Sequence, residues 1–304
     1  MITIDSISKT YGKAASPALN HISLTVGKGE LFGLIGPDGA GKTTLFRILT
    51  TLLLADSGQA TVNGSDVVKD YKSIRRQVGY MPGRFSLYQD LTVEENLNFF
   101  ATLFNTTVAA NYALIEDIYV QIEPFKHRRA GKLSGGMKQK LALCCALIHK
   151  PAVLFLDEPT TGVDVVSRRE FWDMLGRLKA QGITIMVSTP YMDEATLCDR
   201  IALIESGSIL SVDTPDAIVK AFPGRLYAVR ADSMYPLLKG LRADADTAAC
   251  YPFGEYLHLE LKDSSQDESL NLQKRLQDAG HSGVEVLPVN PGVEDCFIRL
   301  MQAS

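Results

Sequence analysis

Hydrophobic and polar positions alternate with different periods along the chain, and the periods predict secondary structure. Near the N-terminus apolar residues occupy every second position, as at Ile22, Leu24 and Val26, which predicts short half-buried strands. Further on, uninterrupted apolar runs predict buried strands, and longer periodic segments predict helices. The predicted strands lie at 31–35, within 75–81, at 153–156, at 183–188 and in a hairpin near 201–210; the predicted helices lie at 42–54, at 134–149, at 167–180, near 192–197 and over most of 93–133. Thr92 and Glu95 form a predicted capping box.

This alternation of strands and helices predicts an α/β fold with a parallel core sheet. The pattern changes near Phe222-Pro223-Gly224. Strand patterns at 226–230, around 249–261 and at 284–289 then alternate with helices at 233–242 and 270–279 and a final helix. We therefore predict two domains, residues 1–222 and a small α+β domain at 223–304.

Composition narrows the possible partners. The chain has 304 residues, 46% hydrophobic and 22% charged, with a formal net charge of −4, so it lacks the general positive field expected for nucleic-acid binding. No apolar run approaches the ~20 residues of a membrane-spanning helix, so we expect any membrane role to depend on a separate partner. Five irregularly spaced cysteines favour neither a disulfide framework nor a zinc site, and fit the cytoplasm.

A glycine-rich segment between a predicted strand and helix matches the P-loop pattern, Gly36-Pro37-Asp38-Gly39-Ala40-Gly41-Lys42-Thr43, followed by Thr44. Glycines allow the backbone N–H groups to point at phosphate oxygens, and a helix N-terminus favours negative charge. Lys42 is expected to reach the β- and γ-phosphates, and Thr43 to ligate Mg²⁺. The segment predicts a site for ATP with Mg²⁺.

A fully apolar strand ends in two acids, Asp157 and Glu158. In a chain that also contains a P-loop, this arrangement predicts that Asp157 lies near the metal ion. Glu158 is then expected near the γ-phosphate, where it would polarise the attacking water.

The third motif, Leu133-Ser134-Gly135-Gly136-Met137-Lys138-Gln139-Lys140, leads into an apolar helix. Ser134 and the amides of Gly135 and Gly136 can bind an anion there. Lying between the P-loop and the acidic strand, the segment resembles the signature motif of ABC ATPases. The resemblance implies that it grips the γ-phosphate of ATP bound to an opposite subunit, and hence that the protein dimerises.

Further resemblances to this family extend over nearly all of residues 1–220. Tyr11 is similar to the aromatic residue that stacks on adenine, and Asp164 lies in a segment that resembles the D-loop of the dimer interface. The segment 87–97 resembles the region that contacts the coupling helices of a transporter. The ending Pro291-Gly-Val-Glu294-Asp295-Cys-Phe297 resembles that of ATPases serving drug- and polysaccharide-type exporters with a separate permease.

Two positions depart from the family pattern. Gly83 stands where the family has a glutamine that touches Mg²⁺ and water, and Pro190 stands where it has a histidine that contacts the γ-phosphate. Proline has no donor on either backbone or side chain. Loss of one transition-state donor typically lowers rates by on the order of 10²–10³. We therefore predict that this chain's own site binds ATP but hydrolyses it weakly, whereas its signature motif completes a competent site on a partner.

The resemblance implies a transport ATPase at the cytoplasmic face of the membrane, coupling ATP to export by an integral membrane permease. The expected second ATP-binding domain is non-identical, in a separate protein or in the same polypeptide. Two alternatives stay open: a soluble ABC ATPase acting in translation or repair, and a non-hydrolysing nucleotide sensor. About 90 residues without heptads between the P-loop and Ser134 weigh against the repair type. The strand-rich, acidic region after 222 weighs against the translation type.

Overall fold

The computed structural model describes residues 1–12, 16–262 and 268–303, and the chain forms two compact units, Met1–Pro215 and Asp216–Ser304. The domain boundary predicted after residue 222 lies beyond this division and stays a prediction. Among the described residues, no helix is both long and apolar enough to cross a membrane.

A six-stranded sheet forms the centre of the first unit. Its strands, in spatial order, are β10 (Ser208–Asp213), β9 (Arg200–Glu205), β3 (Leu31–Ile35), β8 (Thr184–Thr189), β7 (Val153–Asp157) and β6 (Val78–Met81). All neighbours are parallel except the β9–β10 hairpin. Every residue of β3, β7 and β8 is buried, which accounts for the apolar runs within them; the polar residues of β7 and β8 lie at the strand ends. The parallel core predicted from the alternation of elements is present.

An antiparallel sheet packs beside it, in the order β2 (Leu19–Val26), β1 (Ile2–Lys9), β4 (Ser57–Val62) and β5 (Ser65–Asp66). Alternate residues of β1 and β2, among them Ile4 and Leu24, share one hydrophobic core with Phe32 of the central sheet. The strand β4 had no clear sequence pattern, because only Ala60 and Val62 of its six residues are buried.

Six α-helices are described in this unit: α1 (Lys42–Leu49), α2 (Tyr71–Gln77), α3 (Val93–Leu103), α4 (Tyr112–Tyr119), α5 (Gly135–Leu147) and α6 (Val165–Ala180). The short helix α7 (Pro215–Lys220) begins at the last residue of this unit, and its other residues belong to the second. The helix predicted to reach residue 54 was too long: the backbone of Thr51 turns to φ 64°, outside the helical region, and α1 ends at Leu49. The capping box of Thr92 and Glu95 is confirmed at the start of α3.

The second unit has the βαββαβ arrangement. Its elements are β11 (Leu226–Arg230), α8 (Met234–Ala243), β12 (Thr247–Phe253), β13 (Tyr256–Leu261), α9 (Ser269–Asp278), β14 (Glu285–Val289) and the added helix α10 (Val293–Ala303). The sheet order β12-β13-β11-β14, all antiparallel, is that of a ferredoxin-like split βαβ unit. Tyr227, Leu259 and Val286 form its core with residues of α8 and α9.

Asp295 joins α10 to the other face of this sheet. Its carboxylate accepts a hydrogen bond from Tyr251 Oη (2.8 Å), lies 2.6 Å from His258 Nδ1, and accepts a third bond from the amide of Gly292 (2.7 Å). With 2% exposure, Asp295 is a buried polar centre of the unit. The acid in the C-terminal sequence ending thus holds the last helix in place.

Candidate functional site

The P-loop connects the buried strand β3 to α1, in the strand–loop–helix arrangement that the sequence predicted. Gly41 has φ 105°, and a Cβ there would lie 2.4 Å from the carbonyl oxygen of Ala18. A Cβ on Gly36 would lie 2.1 Å from the carbonyl oxygen of Ile204. Neither position can accept a side chain without movement of the neighbouring backbone. Asp38 and Gly39 are exposed at the tip of the loop.

Lys42 lies at the centre of the loop with only 3% of its surface exposed. Its Nζ donates to the carbonyl oxygens of Gly36 (2.7 Å) and Pro37 (2.9 Å), and lies 3.1 Å from Glu158 Oε1. A buried ammonium needs such compensation. The carboxylate of Glu158 thus occupies a position on the lysine that a phosphate oxygen could take.

The acids at the end of β7 are held by the neighbouring strand. Asp157 Oδ1 accepts a hydrogen bond from Ser188 Oγ (2.8 Å), and the amide of Glu158 donates to the same hydroxyl (3.0 Å). Glu158 has φ 50°, a left-handed conformation that costs a non-glycine residue roughly 1–2 kcal/mol. The contacts to Ser188 and Lys42 help to hold it there.

A cavity of about 270 Å³ lies above the loop. It is lined by Tyr11, Ala18, Gly39, Gly41, Lys42, Thr43, Thr44 and Glu158. Tyr11 is 45% exposed, and its hydroxyl lies 3.3 Å from Thr44 Oγ1. The structure therefore brings the predicted phosphate-binding residues and the predicted adenine-stacking residue to one cavity.

A second cavity of about 480 Å³ shares Thr43 and Glu158 with the first. Its other lining residues are Arg47, Tyr80, Pro82, Gly83, Arg84 and Asp157. Burial, with the negative charge of Asp157, raises the pKa of Tyr80 to about 12, so its phenol is neutral at physiological pH. Thr43 and Asp157 supply the hydroxyl and carboxylate oxygens that Mg²⁺ prefers. Among the described residues, Asp157 Oδ2 has no hydrogen-bond donor, so it can accept a metal ion.

Gly83 and Pro190 flank this second cavity and the P-loop. A Cβ on Gly83 would lie 3.0 Å from the carbonyl oxygen of Asp157, so even alanine would crowd the backbone of the acidic strand. Pro190 follows Thr189, which pairs in register with Ile35 and accepts the amide of Gly36 at its carbonyl oxygen (3.3 Å). The family's glutamine and histidine positions are thus next to the predicted phosphate site, but glycine and proline stand there instead.

The signature residues form a different surface of the same unit. Ser134 is exposed at the N-cap of α5, where its hydroxyl accepts the amide of Met137 (3.3 Å). Gly135 and Gly136 face the turn before α6: a Cβ on Gly136 would lie 3.1 Å from Ser167 Oγ. Asp164 caps α6 by accepting the amide of Ser167 (3.0 Å), which lowers the pKa of its carboxyl group. Of these residues, none lines the two cavities at the P-loop.

Comparison with known proteins places this geometry in a family. The family pattern described as "ABC transporter" matches residues 19–161. The "Nod factor export ATP-binding protein I" of Rhizobium sp. (strain N33) is 33% identical over 310 residues, covering 98% of this chain and 96% of that protein. The chain belongs to the ABC transporter family of ATP-binding proteins.

Other members of this ABC family are similar over most of the chain. The "Probable multidrug ABC transporter ATP-binding protein YbhF" of Escherichia coli (strain K12) is 38% identical over 305 residues, which are 99% of this chain but 52% of that protein. The chain therefore spans about half the length of this relative. A solved "ATP binding subunit of ABC transporter" superimposes with a TM-score of 0.66 at 27% identity, covering 73% of this chain and 93% of the solved one.

Sequence reasoning missed part of the ABC site. In the sequence Ser188 is only the last residue of the predicted strand at 183–188, yet its hydroxyl contacts the carboxylate of Asp157 and the amide of Glu158. Arg47, Tyr80 and Arg84 were not singled out, although they line the second cavity. The available signal was strand register: a polar residue at the carboxyl end of an apolar strand lies beside the same end of the next parallel strand.

Proposed function

We propose that this ABC protein binds ATP and Mg²⁺ and couples them to export by a partner permease. The cavity above Lys42, enclosed by P-loop backbone and by Glu158, is the observation that carries the proposal. Lys42 and the P-loop amides would hold the phosphates, Tyr11 would stack on the base, and Thr43 and Asp157 would hold Mg²⁺, which supplies charge neutralisation at the phosphates. The names "multidrug" and "export" of two relatives support an exporter.

We propose further that this chain's own site hydrolyses ATP weakly. Glu158 supplies one carboxylate that can orient water, but Gly83 has no side chain to ligate the metal ion and Pro190 has no N–H to donate to the γ-phosphate. The residues proposed to bind ATP and Mg²⁺, namely Lys42, Thr43 and Asp157, remain in place. The site can therefore lose hydrolysis without losing binding. The absence of the family's glutamine and histidine side chains is expected to reduce stabilisation of the transition state more than it reduces the affinity for ATP.

The exposed Ser134 surface is proposed to complete the ATP site of a second, non-identical ATP-binding domain. In a pair of identical chains both sites would lack the same donors, whereas an unlike partner can keep one site competent. The partner domain is in a separate protein or in the same polypeptide.

The permease is proposed to dock in an apolar groove of about 730 Å³ next to the segment 87–97. Leu87, Leu103 and Phe104 contribute apolar walls. Among the described residues that line the groove, Lys72, Arg75 and Arg76 carry a permanent charge. These three side chains give the groove a local positive charge, although the net charge of the chain is −4. The complementary occupant is a short permease helix with an apolar face and acidic residues at its end. Docking there would hold the protein at the cytoplasmic face of the membrane.

A matched pair of substitutions tests the unequal roles. In the complex with its partner domain and permease, Ser134→Ala removes a ligand of the competent site, whereas Glu158→Gln changes only the weak site. We expect Ser134→Ala to reduce ATP turnover by on the order of tenfold or more, and Glu158→Gln to leave most of it. Vigorous hydrolysis by the isolated chain, abolished by Lys42→Ala, would contradict the weak-site proposal.

A non-hydrolysing nucleotide sensor is the second candidate, and Gly83 and Pro190 are the observations that favour it. Co-purification separates the two functions. A transport ATPase is recovered with a polytopic membrane protein, and ATP turnover of that complex depends on Ser134. A sensor binds ATP, but neither permease nor turnover accompanies it.

A further inference from the structure

The hydroxyl of Ser188 connects the two acidic residues of the nucleotide site. Ser188 is fully buried, and β7 and β8 pair in register so that it lies opposite Asp157. Its Oγ lies 2.8 Å from Asp157 Oδ1 and 3.0 Å from the amide nitrogen of Glu158. An amide can only donate, and an ionised carboxylate can only accept, so the hydroxyl accepts from Glu158 and donates its single proton to Asp157.

This arrangement fixes the orientation of both acids. With Oδ1 of Asp157 held by the hydroxyl, Oδ2 is the oxygen without a donor among the described residues, and Asp157 lines the cavity that also contains Thr43. The carbonyl oxygen of Ser188 also accepts the amide of Glu158 (3.1 Å). Ser188 therefore contacts Glu158 twice at the residue whose backbone turns to φ 50° and whose carboxylate reaches Lys42.

We infer that Ser188 is a positioning residue for the Mg²⁺-bound nucleotide: it orients Asp157 toward the metal ion and fixes the backbone of Glu158 beside it. This inference rests on the proposed function. Residues that hydrogen-bond to a metal-ligating carboxylate typically change metal affinity by about 10–100-fold when they are removed. Ser188 acts through the acids and not by contact with the nucleotide.

The test compares ATP affinity with Mg²⁺ and with EDTA, by fluorescence titration of the full chain. In Ser188→Ala we expect the Mg²⁺-dependent gain in affinity to fall about tenfold, while affinity in EDTA stays nearly unchanged. Ser188→Thr keeps the hydroxyl and should keep most of the gain. Ser188→Cys, close in volume but a weak donor, provides a second variant if the alanine variant does not fold.

Thr184 is the matched control on the same strand. It is also buried, and its hydroxyl accepts the amide of Gly29 (2.9 Å) at the opposite end of β8. Thr184→Ala should lower thermal stability without changing the Mg²⁺-dependent gain. An unchanged gain in folded Ser188→Ala or Ser188→Cys would overturn the inference alone. If the unmodified chain does not bind ATP with Mg²⁺, the proposed function fails as well.

Discussion

Lys42 Nζ and Glu158 Oε1 lie 3.1 Å apart, so the lysine proposed to bind phosphate and the acid proposed to orient water form an ion pair in the structure. Lys42 is 3% and Glu158 22% exposed at the side chain, which makes this a partly buried pair. We expect ATP to displace the carboxylate when its phosphates reach the lysine. The pair is then expected to stabilise the protein without nucleotide and to compete with ATP binding.

Replacement of Glu158 by glutamine should therefore separate stability from affinity. We expect Glu158→Gln to lower the free energy of unfolding of the nucleotide-free protein by about 1–2 kcal/mol and to increase its affinity for ATP. Calorimetry and equilibrium titration measure the two effects. Glu255→Gln, an exposed turn position in the second unit, should change neither quantity. Weaker ATP binding by Glu158→Gln would show that the ion pair does not compete with phosphate.

Gly83 and Pro190 should limit hydrolysis together. Gly83→Gln alone should destabilise the fold by roughly 1 kcal/mol, because its Cβ meets the carbonyl oxygen of Asp157 at 3.0 Å, and should gain little activity. The double variant with Pro190→His should raise the ATP turnover of this chain's site by at least about tenfold. Phosphate release, measured with Ser134→Ala in the background, isolates that site. If ATP turnover does not rise in the double variant, residues other than Gly83 and Pro190 limit hydrolysis at this site.

The groove's positive charge should select its occupant. Arg76 lines the groove, and reversal of its charge in Arg76→Glu should weaken permease binding by on the order of tenfold. Lys69→Glu makes the same change of charge outside the groove and is the matched control. Co-purification yields with the permease measure the difference. Equal losses in both variants would indicate a general charge effect instead of docking in the groove.

His149 should make stability depend on pH. Its ring stacks on Phe104 and its Nε2 lies 3.0 Å from the carbonyl oxygen of Val78. Burial lowers the pKa of His149 below its ordinary value of 6.5, so on acidification the unfolded chain takes up this proton first. The contribution of His149 to the free energy of unfolding is present above pH 6.5. It is lost as the pH falls from 6.5 toward and through the lower pKa of the folded state.

The comparison with His149→Gln isolates this contribution from other acid-sensitive groups. Between about pH 7.5 and pH 5.5 the melting temperature of the unmodified protein should fall further than that of the variant. Differential scanning calorimetry at several pH values makes the measurement. Identical pH profiles for the two proteins would assign the acid sensitivity to other residues.

Asp295 should be essential to the second unit. Asp295→Ala leaves Tyr251 and His258 buried without their shared acceptor, and should cost about 3 kcal/mol of unfolding free energy. Gln302→Ala, exposed on the same helix, is the control. Chemical denaturation followed by the fluorescence of the tyrosines reports the change. Equal stability of the two variants would contradict a structural role for the acid in the sequence ending.

Local sequence determined the P-loop, the apolar strands and the caps of α3 and α5, since each depends on residues close together in the chain. The same local patterns predicted a helix as far as residue 54, five residues beyond the end of α1, and predicted neither β4 nor α2. The end of α1 depends on the backbone turn at Thr51, and Arg75 of the missed α2 donates to the carbonyl oxygen of that residue. Such contacts between segments have no counterpart in a periodic pattern.

By itself, the sequence predicted which groups bind phosphate, because a P-loop is a continuous segment whose backbone geometry follows from its glycines. Only the tertiary structure decided which distant groups meet them. Strand register places Ser188 beside Asp157, and chain folding brings Glu158 to Lys42, 116 positions apart (158 − 42). The reason is physical: hydrogen bonds and ion pairs act over about 3–4 Å in space, whatever the separation along the chain.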